Sequence, residues 1–227
     1  MLKIIPILFL LFTTSTYSLT KYVIEADREV VCKSFDIITK QVGNIEKKSN
    51  WGHPFQDYLA SVGIYFPAPY CMSGIYYCYS EASKITGLRN PLMRTGGVLE
   101  QWNYFVSSGE KVEALPEKYD LLFWQNYAWM NGKLKAKTTG HIEIIEKVGK
   151  KGWVETIGFN TSSGLSGSQR DGGGVHRRNR HLYNPISLLF TKGLGGYKYK
   201  DLQGRAVVSS SGSYPEGQGF ESPPCDK

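Results

Sequence analysis

The sequence predicts an α+β fold in which helices from the first half of the chain pack on one face of an antiparallel sheet supplied by the second half. Three observations predict it. Apolar residues recur at helical spacing between residues 25 and 87, short β-branched and aromatic runs separated by turn formers follow from Tyr119 onward, and the helical segments all precede the strands. With 227 residues, 41% of them hydrophobic, the chain can bury one sizeable core but is short for two, so one domain with appendages is expected.

The elements follow in order. "MLKIIPILFLLFTTSTYS", residues 1–18, places a lone Lys3 before an apolar run from Ile4 to Phe12 and ends in small residues at Thr16 and Ser18, the layout of a secretory signal peptide cleaved after Ser18. The run is too short to span a bilayer, and no later segment is apolar enough, so a secreted or periplasmic chain is expected. "EADREVVCKSFDIITKQVG", 25–43, sets Val30, Val31, Phe35, Ile38 and Val42 on one helical stripe and closes on Gly43. "HPFQDYLASVG", 53–63, reads as a shorter helix. "PAPYCMSGIYYCYSEASKITG", 67–87, opens with prolines, carries Met72, Ile75, Tyr76 and Tyr79 on one stripe and ends at Gly87, with Cys71 in its first turn. "YDLLFWQ", 119–125, reads as a buried strand, residues 138–164 as a hairpin and "GVHRRNRHLY" as a last strand. A catalytic domain over 19–190 is expected to give way to a Gly/Ser/Pro-rich tail over 191–227 that frays.

Charge and cysteines narrow the partners. Lys+Arg outnumber Asp+Glu by 27 to 20, a net +7, and an exported basic protein meets anionic envelope polymers first. The one dense basic cluster, "VHRRNRH" at 175–181, lacks the interleaved aromatics of a nucleic-acid platform, so no nucleic acid is expected. Cys71 and Cys78 are too far apart on one helix to bridge, and the placement of the four cysteines supports no one disulfide framework; a Cys32–Cys225 pairing, which would tie the chain ends, stays open. No CxxC or His/Cys cluster at zinc spacing occurs, so neither metal nor cofactor is expected.

The hairpin carries the chemistry. In "EKVGKKGWVE", Gly149 and Gly152 bracket two lysines, which suggests a two- or four-residue connection, and either places residues whose numbers sum to 301 opposite each other. His141 then faces Asn160, within reach of a cross-strand hydrogen bond, while Glu155 stands opposite Glu146, far from the histidine. A loop one residue longer or shorter would break that register. Cys71, at a helix start, sits where free N–H groups and the dipole stabilise a thiolate nucleophile. His141 would pair with it and protonate the leaving amine, and Asn160 would hold the imidazole in orientation. Cys78 has no polar company and reads as core.

"PAPYCMSGIYYC", "YDLLFW", "GHIEII", "TIGFNTSSG" and "GVHRRNRHL", in this order, resemble the landmarks of a CHAP-type domain, a papain-like family of bacterial and phage amidases and endopeptidases that cut peptidoglycan. "VGNIEKKSNWGHPFQDYLASVG" is similar to the lead-in helices of phage- and Bacteroidetes-type members, and the likeness runs from about Asp27 to Tyr183. The resemblance implies a papain-like fold, a monomer acting on peptidoglycan or another anionic envelope polymer, Cys71 as nucleophile, His141 as base, Asn160 as the orienting residue, and an oxyanion hole that includes the backbone N–H of Cys71. Three positions depart from the family pattern: Gly74 replaces a bulky residue three after the nucleophile, Gly158 replaces a glutamate two before the asparagine, and Tyr119-Asp120 replaces a Gly-Asp pair. A catalytically silent envelope-binding protein, or a papain-like acyltransferase or deamidase acting on a protein, are the alternatives.

Overall fold

The computed structural model describes residues 19–162 and 173–200. The expected signal peptide at 1–18 and the tail from 201 onward lie outside the described residues. The chain runs β1 (Lys21–Ala26), α1 (Arg28–Gln41), α2 (Phe55–Ser61), α3 (Cys71–Thr86), α4 (Val98–Ser108), β2 (Glu110–Val112), β3 (Leu121–Met130), β4 (Lys133–Val148), β5 (Trp153–Thr161), β6 (Gly174–His181) and β7 (Leu189–Tyr199). The seven strands form one sheet in the order β2-β1-β7-β3-β4-β5-β6, antiparallel at every seam except the parallel β1–β7 pair.

The fold is therefore α+β, with four helices whose core residues all belong to one large apolar cluster. Val31 and Ile38 of α1, Ile75 and Tyr79 of α3, and Trp102 and Phe105 of α4 meet Leu121 and Phe123 of β3, Ile142 and Ile144 of β4, and Ile157 and Phe159 of β5. The alternate strand positions Leu122, Trp124, Ile145, Val154 and Leu194 build a second, smaller cluster with Leu182 and Leu189. The sheet is thus buried on both sides, by helices on one and by its own strands and loops on the other.

α3 sets the position of Cys71. Pro67 and Pro69 keep the preceding chain from continuing the helix, which starts at Cys71 and stops at Gly87 in the left-handed conformation (φ 72°). Gly74 lets α3 lie directly on β5: a Cβ there would stand 2.1 Å from the Phe159 ring.

Besides the short strand β2, three elements were not expected. β1 pairs with β7 and brings Lys21, 1% exposed, against Asp120 at 2.9 Å and Glu117 at 2.8 Å. α4 buries Val98, Gln101, Trp102 and Phe105, a helical stripe. The third corrects the expected tail: residues 189–199 are not a fraying segment but β7, inserted between β1 and β3 in the middle of the sheet. Its glycines admit the neighbours that cross it, since a Cβ at Gly195 would meet the Phe105 ring at 2.8 Å. Composition alone made that stretch look loose. No helix among the described residues is long and apolar enough to cross a membrane.

Of the cysteines, Cys71 and Cys78 are free and buried, and Cys32 is disulfide-bonded. Cys225 lies outside the described residues.

Candidate active site

Cys71 is the first residue of α3, so its backbone N–H is among those a helix start leaves without an intrahelical partner. β4 brings His141 to it. His141 stands opposite Trp124 of β3, and the two rings lie 5.8 Å apart at 32°. The imidazole bonds the carboxylate of Glu143, whose Oε1 lies 3.0 Å from Nε2, and the Cys71 thiol lies close enough to raise the ring's pKa. Because Nε2 is taken by Glu143, Nδ1 is the nitrogen left for the sulfur.

Glu143 is wholly buried and fully engaged. Thr156 Oγ1 donates to its Oε2 at 2.6 Å, Arg180 Nε donates to the same oxygen at 2.8 Å, and Arg180 Nη2 donates to Oε1. Arg180 is itself only 4% exposed, and its guanidinium lies over the Trp124 ring at 5.8 Å. A buried carboxylate held bidentately by arginine and bonded to imidazole is a rigid support. Directly across from Glu143 stands Gly158, where a Cβ would come within 2.8 Å of the carboxylate oxygen. The missing side chain on β5 is the room that the acid from β4 occupies.

The charges reinforce one another. Burial acts to lower the His141 pKa, but hydrogen bonds to Cys71 and Glu143, and the charges of both, outweigh it and hold the ring at about 9. Burial would raise the Glu143 carboxyl, yet the hydrogen bonds and positive charges of Arg180 and His141 keep it far below the usual carboxylate range. At neutral pH the site therefore holds an imidazolium between a carboxylate and the sulfur.

Of the three residues expected to act together, Cys71 and His141 meet; Asn160 is not among the hydrogen-bond partners of His141. The hairpin explains why. Val148 pairs with Val154 and Gly149 N–H donates to Trp153 O at 2.8 Å, so near the turn opposed residues sum to 302 and the connection is one residue off the expected length. A bulge between Ile145 and Lys147 then restores the sum of 301 at Glu143 and Gly158. Glu155 accordingly stands opposite Lys147 rather than Glu146, which binds Arg177 Nε at 2.7 Å. The β4–β5 ladder ends at Glu143–Gly158, and Asn160 adopts a left-handed φ of 52° where β5 is irregular against β6. Asn160 is 3% exposed, and its Oδ1 has no hydrogen-bond partner among the described residues.

The supporting residues Glu143, Thr156, Arg180 and Trp124 were missed in the sequence. Glu143 had a signal: a charged residue inside the apolar run "HIEII" alternates with core positions and needs a cation. Arg180 was hidden in a cluster that reads as a surface patch.

No protein-family model matches the chain, and no curated protein or solved structure matches it either.

Proposed function

We propose that this chain is an exported cysteine hydrolase of papain-like, CHAP-type character that cleaves amide bonds in peptidoglycan. The observation that carries the reading is the line Cys71–His141–Glu143, a thiol at a helix start close to an imidazole that is fixed by a buried carboxylate. In this reading Cys71 Sγ attacks the amide carbonyl carbon, and the backbone N–H of Cys71 helps to hold the oxyanion. Protonated His141 gives its proton to the leaving nitrogen as the C–N bond breaks and a thioester remains. A water then attacks the thioester, His141 takes its proton, and the product acid leaves as the Cys71 thiolate and the imidazolium that began the cycle are restored. Glu143 replaces Asn160 as the residue that orients the ring.

The resemblance supplies the substrate class, and a departure from it gives support. Tyr119, which stands where the family has glycine, keeps φ at 77°, a conformation natural for glycine and costly for tyrosine. Its ring, 4.9 Å from Phe35 in a buried edge contact, helps to hold it there. Digesting purified sacculi with the mature protein, with mass spectrometry of the released fragments, tests the proposal and names the bond cut. Loss of all release in Cys71→Ala is expected. A wild type that labels at Cys71 but releases nothing from any sacculus would move the reading to a protein substrate.

A further inference from the structure

Beyond Gln125 and Gly140 the β3–β4 ladder leaves the sheet. β3 pairs with β7 only as far as Asn126, and β4 pairs with β5 only from Glu143. A register shift after Gln125 marks the departure; Tyr127 N–H still donates to Leu188 O at 2.8 Å, and residues 128–130 and 133–135 then pair with one another alone among the described residues. Such a two-stranded arm has little stability of its own, so what it displays calls for a reason.

It displays two chemistries. Tyr127 and Trp129 stand opposite Ala136 and Leu134, whereas Ala128 and Met130 stand opposite Lys135 and Lys133. Alternation therefore puts an aromatic face on one side of the ribbon and a row of amino groups on the other. Phe190 packs edge-on against Tyr127 at 5.0 Å, while Trp129 is 67% exposed. Residues 131–139 are all exposed, and the three lysines at 133, 135 and 137 recur at intervals of roughly 7 Å along the strand. No aspartate or glutamate occurs between Leu121 and Ile142, so the arm does not neutralise its own charge.

We propose that this arm is a docking rail for a carboxylate-bearing glycan strand, with the lysines meeting its anionic groups and Trp129 meeting the apolar face of a sugar ring. Compact ammonium groups on flexible stems suit anions spaced along a mobile polymer, and the peptidoglycan reading makes those anions carboxylates. One exposed ring is too few for a run of stacked bases. The rail leads somewhere: Gly140 pairs with Gln125, His141 pairs with Trp124, and a strand lying along the arm is delivered to the candidate active site over roughly 20 Å. This inference rests on the peptidoglycan hydrolase reading for its direction and deepens it by naming the feature of the substrate that is gripped.

The test is cosedimentation with purified sacculi, with the same sacculi after amidation of their carboxylates, and with anionic lipid vesicles. Lys133→Gln/Lys135→Gln/Lys137→Gln should weaken binding to native sacculi on the order of tenfold, the sum of three exposed charge contacts. That part of the binding should vanish on amidated sacculi and at about 0.5 M salt, where exposed charges are screened. Trp129→Ala should weaken binding several-fold at every salt concentration. Both variants should alkylate at Cys71 at the wild-type rate, which shows the site intact. The proposal is overturned if wild type and triple variant bind native sacculi alike, if amidation changes nothing, or if vesicles compete better than sacculi. Arm-dependent binding without fragment release would sustain the rail and sink the hydrolase reading; fragment release with arm-independent binding would do the reverse.

Discussion

Glu143→Gln is the sharpest probe of the site, because it keeps the volume and removes only the charge. Two losses follow from the structure. Glu143 is 0% and Arg180 4% exposed, so the substitution leaves a guanidinium buried without its anion, which costs about 3–5 kcal/mol out of a total stability of about 5–15. It also removes one of the two partners that hold His141 at about 9 against an ordinary 6.5, a difference on the order of 3 kcal/mol in favour of the imidazolium. Because the folded pKa is raised, that stabilisation is fully present below pH 6.5 and disappears as pH rises through about 9. Wild-type activity should decline over the same alkaline range as His141 loses the proton it must donate. In Glu143→Gln the alkaline decline should begin at lower pH, fragment release should fall about a hundredfold or more, and the melting temperature should drop. The readouts are fragment release and Cys71 alkylation against pH, with thermal melts of both proteins. An unmoved alkaline limb, with release reduced only in proportion to the folded fraction, would show Glu143 to be structural and refute its positioning role.

The remaining predictions are smaller perturbations. Asn160→Gly should keep most activity and melt near wild type, because glycine accepts the φ of 52° and Oδ1 makes no hydrogen bond to lose among the described residues; a loss of release exceeding that of Glu143→Gln would restore the asparagine as the orienter. Cys78→Ala should cost about 1–2 kcal/mol in thermal unfolding through a core cavity and leave fragment release intact, since Cys78 is fully buried and burial drives its thiol pKa up. Gly74→Ala should destabilise by about 1–3 kcal/mol, as its Cβ would overlap the Phe159 ring, and a melt equal to wild type would mean that α3 can slide on β5. Gly158→Ala should fold but lose activity and alkylate more slowly at Cys71, because the added methyl displaces the carboxylate that supports His141.

What was legible in the sequence depended on whether a local signal matched the winning physical cause. α1 and α3 were legible because their stripes are apolar and their ends carry glycine or proline. α4 has an equally regular stripe, but Gln101 sits within it and the segment lies between two stretches that look like loops. β7 was illegible because three glycines, at 193, 195 and 196, carry no strand propensity; they are explained only by the Trp102, Phe105 and Lys21 side chains that press on them, contacts between residues nearly a hundred or more apart. At the site, the turn was one residue off and a bulge shifted the register back, so the pairing at Glu143–Gly158 came out as expected although the turn did not. Asn160 makes no hydrogen bond to His141, and its left-handed φ breaks the alternation on which cross-strand inference depends.

The glycines at 74 and 158 share one physical account. A side chain absent from one element leaves a volume that an adjacent element fills: the Phe159 ring of β5 lies where a residue at 74 on α3 would project, and the Glu143 carboxylate of β4 lies where a residue at 158 on β5 would project. Because directly opposed residues share the same patch of the sheet surface, the Glu143 carboxylate fills the space over Gly158 and still bonds the imidazole. An orienting acid is defined by where its oxygens sit and what holds them, and here Arg180 and Thr156 hold them. Glycine at 158 is then a requirement of the site, since any larger residue there competes with Glu143 for space. Phe159 packed against Gly74 acts in the same way, fixing α3 on β5 one turn beyond Cys71 and so helping to hold the thiol near His141.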